Sequence, residues 1–117
     1  MSEDLSAEDA KLITLARGAR GRVASRTGAA LRDETGRTYA ASDVELASLT
    51  LSALQLAVAQ AVAAGSRGVE LAVVVASDPQ EPIDARALAD LGGPATPLLV
   101  CAADGTVVRR STPGEVG

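Results

Sequence analysis

Residues 27–48 read TGAALRDETGRTYAASDVELAS, and this stretch decides which fold we expect. It contains two extended runs, Thr27–Arg32 and Arg37–Val44, joined by Asp33-Glu34-Thr35-Gly36. A short polar connection that ends in glycine between two such runs is typical of a β-hairpin. We therefore predict two antiparallel strands here.

The segments on either side of this hairpin alternate between helix and strand patterns. Upstream, Ser6 is a candidate N-cap, followed by acidic residues and then by apolar residues at helical spacing. Downstream, the patterns predict a buried helix, an interior strand, a short helix and a second hairpin. Their ranges are Thr50–Ala64, Val69–Ala76, Asp84–Leu91, and Pro97–Ala102 with Thr106–Arg109. This order favours an α/β domain over residues 1–110 with a mixed sheet, followed by a loose C-terminal tail over residues 111–117.

The composition excludes several classes of protein. The 117 residues are 47% hydrophobic and 22% charged, as expected of a globular domain. The chain has no histidine and one cysteine, Cys101, which we predict to be a small core residue. A single cysteine excludes an internal disulfide and fits a reducing cytoplasm. The acidic N-terminus does not resemble a signal peptide, and the uncharged run Leu46–Gly65 is broken by polar residues, so we expect a cytoplasmic protein without membrane contact.

Several motifs, taken in order, resemble those of cytidine deaminases. They are TGAALRDETGRTYAASDVELAS, a helix that ends in AVAAG, then LAVVVASD, EPIDARALADL and TPLLVCAADGTVV, which together span roughly residues 8–110. The most specific parts are GAAL, DVE, and TPLL followed by DG. The resemblance implies a three-layer α/β/α cytidine deaminase-like fold with a mixed sheet of roughly five strands.

The chemistry of the family that this chain resembles needs a zinc-bound water. Its ligands are a cysteine or histidine that opens the central helix and two cysteines of a P-C-x-x-C turn, and a glutamate two residues after the first ligand moves the protons. At those positions this chain carries Ser52 and Leu54, and Pro82–Arg86 reads PIDAR. Ser52 is a poor neutral ligand and Leu54 cannot carry a proton. We therefore expect no metal, no cofactor and no catalysis.

Two acidic residues are candidates for ligand binding. In the family an N-x-E motif binds ribose; here Asp43 replaces the asparagine and Glu45 is retained. One hypothesis is a residual ribose or cation site formed by Asp43 and Glu45. The alternative, which we favour, is that they are polar residues at a strand end, where Ser42 and Glu45 also fit local capping. Tyr39 is the only aromatic residue, so stacking of a base has little support.

Clustered arginines form the main basic feature of an acidic chain. Lys11–Arg37 holds seven basic and two acidic residues, a net charge of +5, whereas the whole chain carries −4. Arginines interleaved with glycines suit contact with phosphate or with an RNA backbone. The residues are Arg17, Arg20, Arg22 and Arg26. The alternative, which we favour, is a solvated segment that balances acidic neighbours, because aromatic residues for stacking on single strands are missing.

These observations favour a catalytically inactive protein that acts as an oligomeric scaffold or interaction module, with an unidentified protein partner. The alternatives are a pseudoenzyme that binds a nucleoside or nucleotide, and a protein that contacts phosphate or RNA through Arg17–Arg26. An active cytidine deaminase is the least favoured. We expect a homodimer or homotetramer with the helix Thr50–Ala64 at the subunit interface, because its apolar residues spread over more than one face. The resemblance implies the same assembly, since that family associates through this helix.

Overall fold

Five strands form a mixed sheet that carries helices on both faces. The computed structural model describes residues 5–116. Its elements in chain order are α1 (Ala7–Arg22), β1 (Thr27–Asp33), β2 (Thr38–Ser42), β3 (Val44–Leu46), β4 (Leu49–Leu51), α2 (Ala53–Ala63), β5 (Val69–Ala76), α3 (Arg86–Gly92), β6 (Leu98–Ala102), β7 (Val107–Ser111) and α4 (Pro113–Val116).

The strand order of the main sheet is β2-β1-β5-β6-β7. Strands β5 and β6 are parallel, and the other neighbouring pairs are antiparallel. The pairs β1–β2 and β6–β7 are the two hairpins that the sequence predicts. The predicted α/β fold with a mixed five-stranded sheet is therefore confirmed.

The two faces of the sheet carry separate hydrophobic clusters. On one face α2 and α3 contribute Leu54 and Leu88, which pack with strand residues such as Leu31. On the other face α1 contributes Leu12 and Ile13. The three layers are thus one helix, the sheet, and a pair of helices.

Helix α1 lies unusually close to the first strand. A Cβ atom added at Gly28 would lie 2.2 Å from the carbonyl O of Ala16 and 2.7 Å from the backbone N of Arg20. Both distances are far below van der Waals contact. Glycine at this position of the GAAL motif is therefore required by the packing of α1 on β1.

A buried carboxylate ties the first hairpin to the segment that follows α2. Asp33 ends β1, and its Oδ1 accepts hydrogen bonds from the backbone N–H groups of Thr35 (2.9 Å) and Arg37 (3.0 Å). Its Oδ2 accepts a hydrogen bond from the Ser66 hydroxyl at 2.5 Å. Burial raises the pKa of Asp33, but these hydrogen bonds outweigh it and hold that pKa well below its ordinary value.

The structure corrects the predicted start of the central helix. Helix α2 begins at Ala53 and not at Thr50, because Ser52 is its N-cap. The residues just before it form β4, which pairs with β3 in an antiparallel hairpin that the sequence analysis missed. The connection Ala47-Ser48 contains none of the glycine or asparagine residues that usually mark a two-residue hairpin loop.

The prediction of a loose C-terminal tail was wrong for residues 111–116. Ser111 belongs to β7, and Pro113 is buried at the start of α4. The backbone N–H of Gly114 donates a hydrogen bond to the carbonyl O of Pro94 at 3.2 Å. The tail therefore packs against the loop after α3, although its composition is typical of a loop. Gly117 lies outside the described residues.

No helix within residues 5–116 has both the length and the apolar character needed to span a membrane.

Candidate functional site

A groove lies where the start of β1, the end of β2, the N-terminus of α2 and the loop after β5 meet. Its volume is about 360 Å³. Its lining residues are mostly polar: Arg26, Thr27, Asp43, Glu45, Thr50, Leu51, Ser52, Gln55, Glu81 and Asp84. A second cavity of about 290 Å³ shares Arg26, Asp43 and Glu45 with it and extends to the end of α1. The groove thus brings together Asp43, Glu45 and Ser52, three of the positions that the sequence analysis singled out.

Asp43 uses both of its carboxylate oxygens to hold the chain around this groove. Oδ1 accepts hydrogen bonds from the Thr27 hydroxyl (2.6 Å) and from the backbone N–H of Ala53 (2.8 Å). Oδ2 accepts hydrogen bonds from the Ser25 hydroxyl (2.8 Å) and from the backbone N–H of Thr27 (3.0 Å). Burial raises the pKa of Asp43, but these bonds outweigh burial and hold that pKa below its ordinary value. The ionised carboxylate therefore fastens the N-terminus of α2 to β1, which supports the structural hypothesis for this residue.

Glu45 differs from Asp43 in its accessibility. It lies on β3, opposite Thr50 of β4 in the hairpin register. Its side chain is exposed, and it lines both cavities. Of the two candidate ligand-binding residues, Glu45 is the one that a molecule in the groove can reach.

Ser52 and Leu54 serve the fold at the positions where the resemblance places zinc chemistry. The Ser52 hydroxyl accepts a hydrogen bond from the backbone N–H of Gln55 (3.1 Å), and the Gln55 Oε1 accepts one from the backbone N–H of Ser52 (2.9 Å). This reciprocal pair is a capping box, which begins α2. Leu54 is only 3% exposed and belongs to the cluster between α2 and the sheet. Neither side chain titrates near neutral pH.

The segment Pro82–Arg86 contains no cysteine or histidine, and its one carboxylate, Asp84, is paired with Arg86. It leads into α3, which begins at Arg86 rather than at Asp84 as predicted. Hydrogen bonds from the Arg86 guanidinium to Asp84, at 2.8 and 2.6 Å, lower the pKa of Asp84 to about 2. Ile83 and Ala85 carry apolar side chains that pack against the core. Both face a cavity of about 510 Å³ between α3 and α4 whose lining is mainly apolar.

Within the described part of the chain, the side-chain donors do not fit the zinc site that the resemblance implies. Within residues 5–116, no group of three or more His, Cys, Asp or Glu side chains is placed to hold a metal ion. Cys101 lies on β6 in the cluster beneath α1, on the opposite face of the sheet from α2, and it is a core residue as predicted. Burial raises the pKa of the Cys101 thiol to about 11. It therefore does not offer a thiolate ligand.

Two of the candidate phosphate-binding arginines make contacts within the chain. The Arg20 Nη2 donates a hydrogen bond to the Ser77 hydroxyl at 2.7 Å. The Arg26 Nη2 donates to the Glu81 carboxylate at 2.6 Å, and both residues line the groove. Each guanidinium thus holds the loop after β5 close to the end of α1 and the start of β1.

The other two candidate arginines lie on the exposed surface of α1. Arg17 lies beside the β6–β7 turn, since a Cβ atom added at Gly105 would lie 2.9 Å from the Arg17 Cδ. Hydrogen bonds from Thr106 and, to a smaller extent, the charge of Arg17 lower the pKa of Asp104 in this turn. Arg22 is exposed at the last position of the helix. The four arginines therefore lie beside different parts of the fold. Arg20 and Arg26 contact the loop after β5, Arg17 lies near the β6–β7 turn, and Arg22 is exposed at the end of α1.

Comparison with known proteins identifies the family. The family model described as cytidine deaminase-like matches residues 5–105. The chain belongs to the cytidine deaminase-like family. No curated protein gives a significant sequence match.

Three solved structures illustrate how closely this cytidine deaminase-like chain follows the family fold. The cytidine deaminase from Burkholderia pseudomallei is 25% identical, with a TM-score of 0.78 and 96% of each chain covered. The cytidine deaminase from Mycobacterium leprae is 23% identical, with a TM-score of 0.66, and 96% of this chain and 97% of that chain are covered. A mutant cytidine deaminase from Mycobacterium tuberculosis is 22% identical, with a TM-score of 0.71 and coverage of 96% and 94%.

The groove of this cytidine deaminase-like protein also contains residues that the sequence analysis did not assign to a site. Gln55 could have been found, because Ser52 and Gln55 have the S-x-x-Q spacing of a capping box. Glu81 and Asp84 carry no such signal. Their place in the groove depends on the path of the loop after β5, which no local pattern specifies.

Proposed function

We propose that this cytidine deaminase-like protein is catalytically inactive and acts as an oligomeric scaffold or interaction module in the cytoplasm. The observation that carries the proposal is the role of Ser52 and Leu54. One caps α2 through its hydroxyl, and the other fills the core beneath that helix. Zinc-dependent deamination needs a metal ligand and a proton carrier at these two positions. In this chain the side chains at both positions stabilise the fold instead.

The proposed interaction surface is the uncharged segment from Leu46 to Ser66. Apolar side chains stay exposed on it, with 61% of Leu46, 48% of Leu49 and 55% of Val62 accessible. Exposed apolar surface without charge is typical of a protein–protein contact. We therefore propose a homodimer or homotetramer in which α2 lies at or near the interface.

The loss of catalysis predicts that the purified protein holds no stoichiometric zinc and does not deaminate cytidine. Metal analysis and a cytidine deamination assay test this directly. The double variant Ser52→Cys with Leu54→Glu is expected to stay inactive, because Ile83 and Ala85 provide no further ligands. One zinc per chain, or turnover by the wild-type protein, would contradict the proposal.

The interface predicts that Val62→Asp dissociates the oligomer without unfolding the subunit. Val62 is largely exposed, whereas Val58 is 5% exposed, so an aspartate at Val58 would unfold the subunit instead. Light scattering measures the assembly and circular dichroism measures the fold. Val108→Asp, at a partly exposed position on β7, is the control and should leave the assembly unchanged. A wild-type protein that stays monomeric at high concentration would refute this part of the proposal.

The exposure of Glu45 supports a second candidate function, a pseudoenzyme that binds a nucleoside or nucleotide without converting it. Calorimetric titration with cytidine should then show binding that Glu45→Ala weakens, with Glu115→Ala as the control. A flat titration would leave the scaffold as the only remaining proposal of the two. Contact with phosphate or RNA has less support, because Arg20 and Arg26 already bind groups of their own chain.

A further inference from the structure

The two edges of the main sheet differ in how they are protected. Strand β7 carries Arg109 and Arg110, and its register with β6 shifts between Val100 and Cys101. Charged residues and bulges of this kind keep a sheet edge from pairing with another chain. Strand β2, at the opposite edge, reads TYAAS and pairs with β1 without a register shift. It has no charge, no proline and no bulge, so this edge is open to a further strand.

Alternate residues of β2 direct their backbone groups away from the sheet. The backbone N–H of Asp33 donates to the carbonyl O of Arg37 at 2.8 Å, which fixes the phase of the antiparallel ladder. Within residues 5–116, no other strand pairs with the outer side of β2. The residues whose N–H and C=O groups face outward in this phase are Thr38, Ala40 and Ser42.

We infer that β2 pairs antiparallel with β2 of a second copy of this chain, so that two sheets join into one continuous sheet. The inference rests on the proposed homo-oligomer and specifies its geometry. With Ala40 on the two-fold axis, Thr38 of each copy lies opposite Ser42 of the other. The outward groups then form about six hydrogen bonds between the copies.

Charge favours a second copy as the occupant and Ala40 as the centre of the pairing. Arg37, just before β2, lies beside Asp43 of the other copy in this register. The Arg37 Nε lies 3.6 Å from the Oδ2 of its own Asp33, but 54% of the Arg37 side chain stays exposed towards a partner. Opposite charges therefore lie near each other at both ends of the paired strands, although the Asp43 oxygens keep their hydrogen bonds within the subunit. Opposite charges at neighbouring positions of two strands favour their pairing. A shifted register loses both pairs.

Helix α2 overlies the same edge of the sheet. It packs on β2 and β1, whereas α3 covers the region of β5. Its outer face carries Ala59, Val62 and Ala63, all exposed and uncharged. Opposite residues of an antiparallel pair point to the same face, so joining the edges places the two α2 helices on one side of the continuous sheet. Their contact supplies area beyond the strand pairing, towards the roughly 800 Å² per partner of a stable interface.

Substitutions at one edge position separate backbone pairing from side-chain effects. Thr38→Pro removes an outward N–H that makes no hydrogen bond within the subunit, whereas Thr38→Val keeps it at nearly the same volume. Sedimentation velocity should show at least about tenfold weaker association for Thr38→Pro and none of this loss for Thr38→Val. Arg37→Glu should also weaken association, because it places like charges beside each other at both ends.

Hydrogen exchange measures the paired edge in the wild-type protein itself. The backbone N–H of Ala40 should exchange slowly in concentrated protein and quickly after dilution. If Val62→Asp dissociates the oligomer while Thr38→Pro does not, and Ala40 exchanges equally at both concentrations, edge pairing is wrong and the α2 interface stands. A wild-type monomer at all concentrations overturns both proposals.

Discussion

Asp43 illustrates how a single side chain can hold several segments of a fold together. The resemblance found in the sequence implies a ribose-binding asparagine at this position. Here four donors point at the two side-chain oxygens, two of them backbone N–H groups on different elements. A carboxylate has two acceptor oxygens, whereas an amide has only one acceptor oxygen and presents donors on the other side. The aspartate is therefore the side chain that satisfies all four donors.

This geometry predicts that Asp43→Asn lowers the free energy of unfolding by about 1–3 kcal/mol. In either orientation of the amide, its NH₂ group faces the backbone N–H of Thr27 or of Ala53, and one buried donor loses its partner. Urea unfolding at pH 7 measures the change. Glu45→Gln is the control and should stay within about 0.5 kcal/mol of wild type, because Glu45 is exposed. Equal stability of the two variants would show that Asp43 is not an anchor.

Helix α2 shows what local sequence patterns specify about an element and what they do not. The helix was predicted to end at Ala64, and the next residue, Gly65, adopts a positive φ of 97° that ends a helix. The start was predicted three residues too early, because Thr50 and Leu51 fit a helix as well as a strand. Their extended conformation is set by pairing with β3 and by the hydrogen bond that the backbone N–H of Ala53 donates to the Asp43 carboxylate. Neither contact is visible as a local pattern.

The close packing of α1 on β1 predicts that Gly28→Ala is strongly destabilising, by about 1–3 kcal/mol or more. The added methyl group meets backbone atoms of Ala16 and Arg20, which cannot move without displacing the helix. Gly68→Ala is the matched control, because its nearest neighbour, the Cβ of Glu34, would lie 3.9 Å away. Thermal or urea unfolding compares the two variants. Similar losses in both would mean that α1 can shift to make room.

At the scale of the whole molecule, the sequence predicted the order of elements but not the long-range contacts that tie distant segments together. The alternation of helical and extended patterns led to a mixed sheet, and the ordered motifs led to the family. The hydrogen bonds between Asp33 and Ser66, and between Arg26 and Glu81, join residues 33 and 55 positions apart. Such contacts depend on how elements pack after they form, and a single sequence contains no periodic signal for them.

The hydrogen-bonded carboxylates predict that the whole molecule loses stability in acid. The pKa values of Asp33, Asp43 and Asp84 are all lowered in the folded state. The unfolded chain therefore binds more protons as the pH falls below the ordinary aspartate pKa of about 3.9. Their stabilising contribution is fully present above that pH and is lost as the pH falls through the folded-state values.

Urea unfolding at several pH values tests this expectation. The free energy of unfolding should change little between pH 7 and about pH 5 and should fall steeply below about pH 4. The Asp43→Asn variant should show a smaller fall than wild type, because it has one such group fewer. A stability that is constant down to pH 3 would contradict the assignment.

The capping and packing at the start of α2 have an evolutionary consequence. A lineage that moved from this sequence towards zinc chemistry would need Ser52→Cys, which removes the N-cap and costs about 1 kcal/mol. It would also need Leu54→Glu, which places a carboxylate in the apolar core under α2. Each step lowers the free energy of unfolding before any activity is gained. Zinc chemistry could therefore arise from this sequence only after stabilising changes elsewhere in the fold.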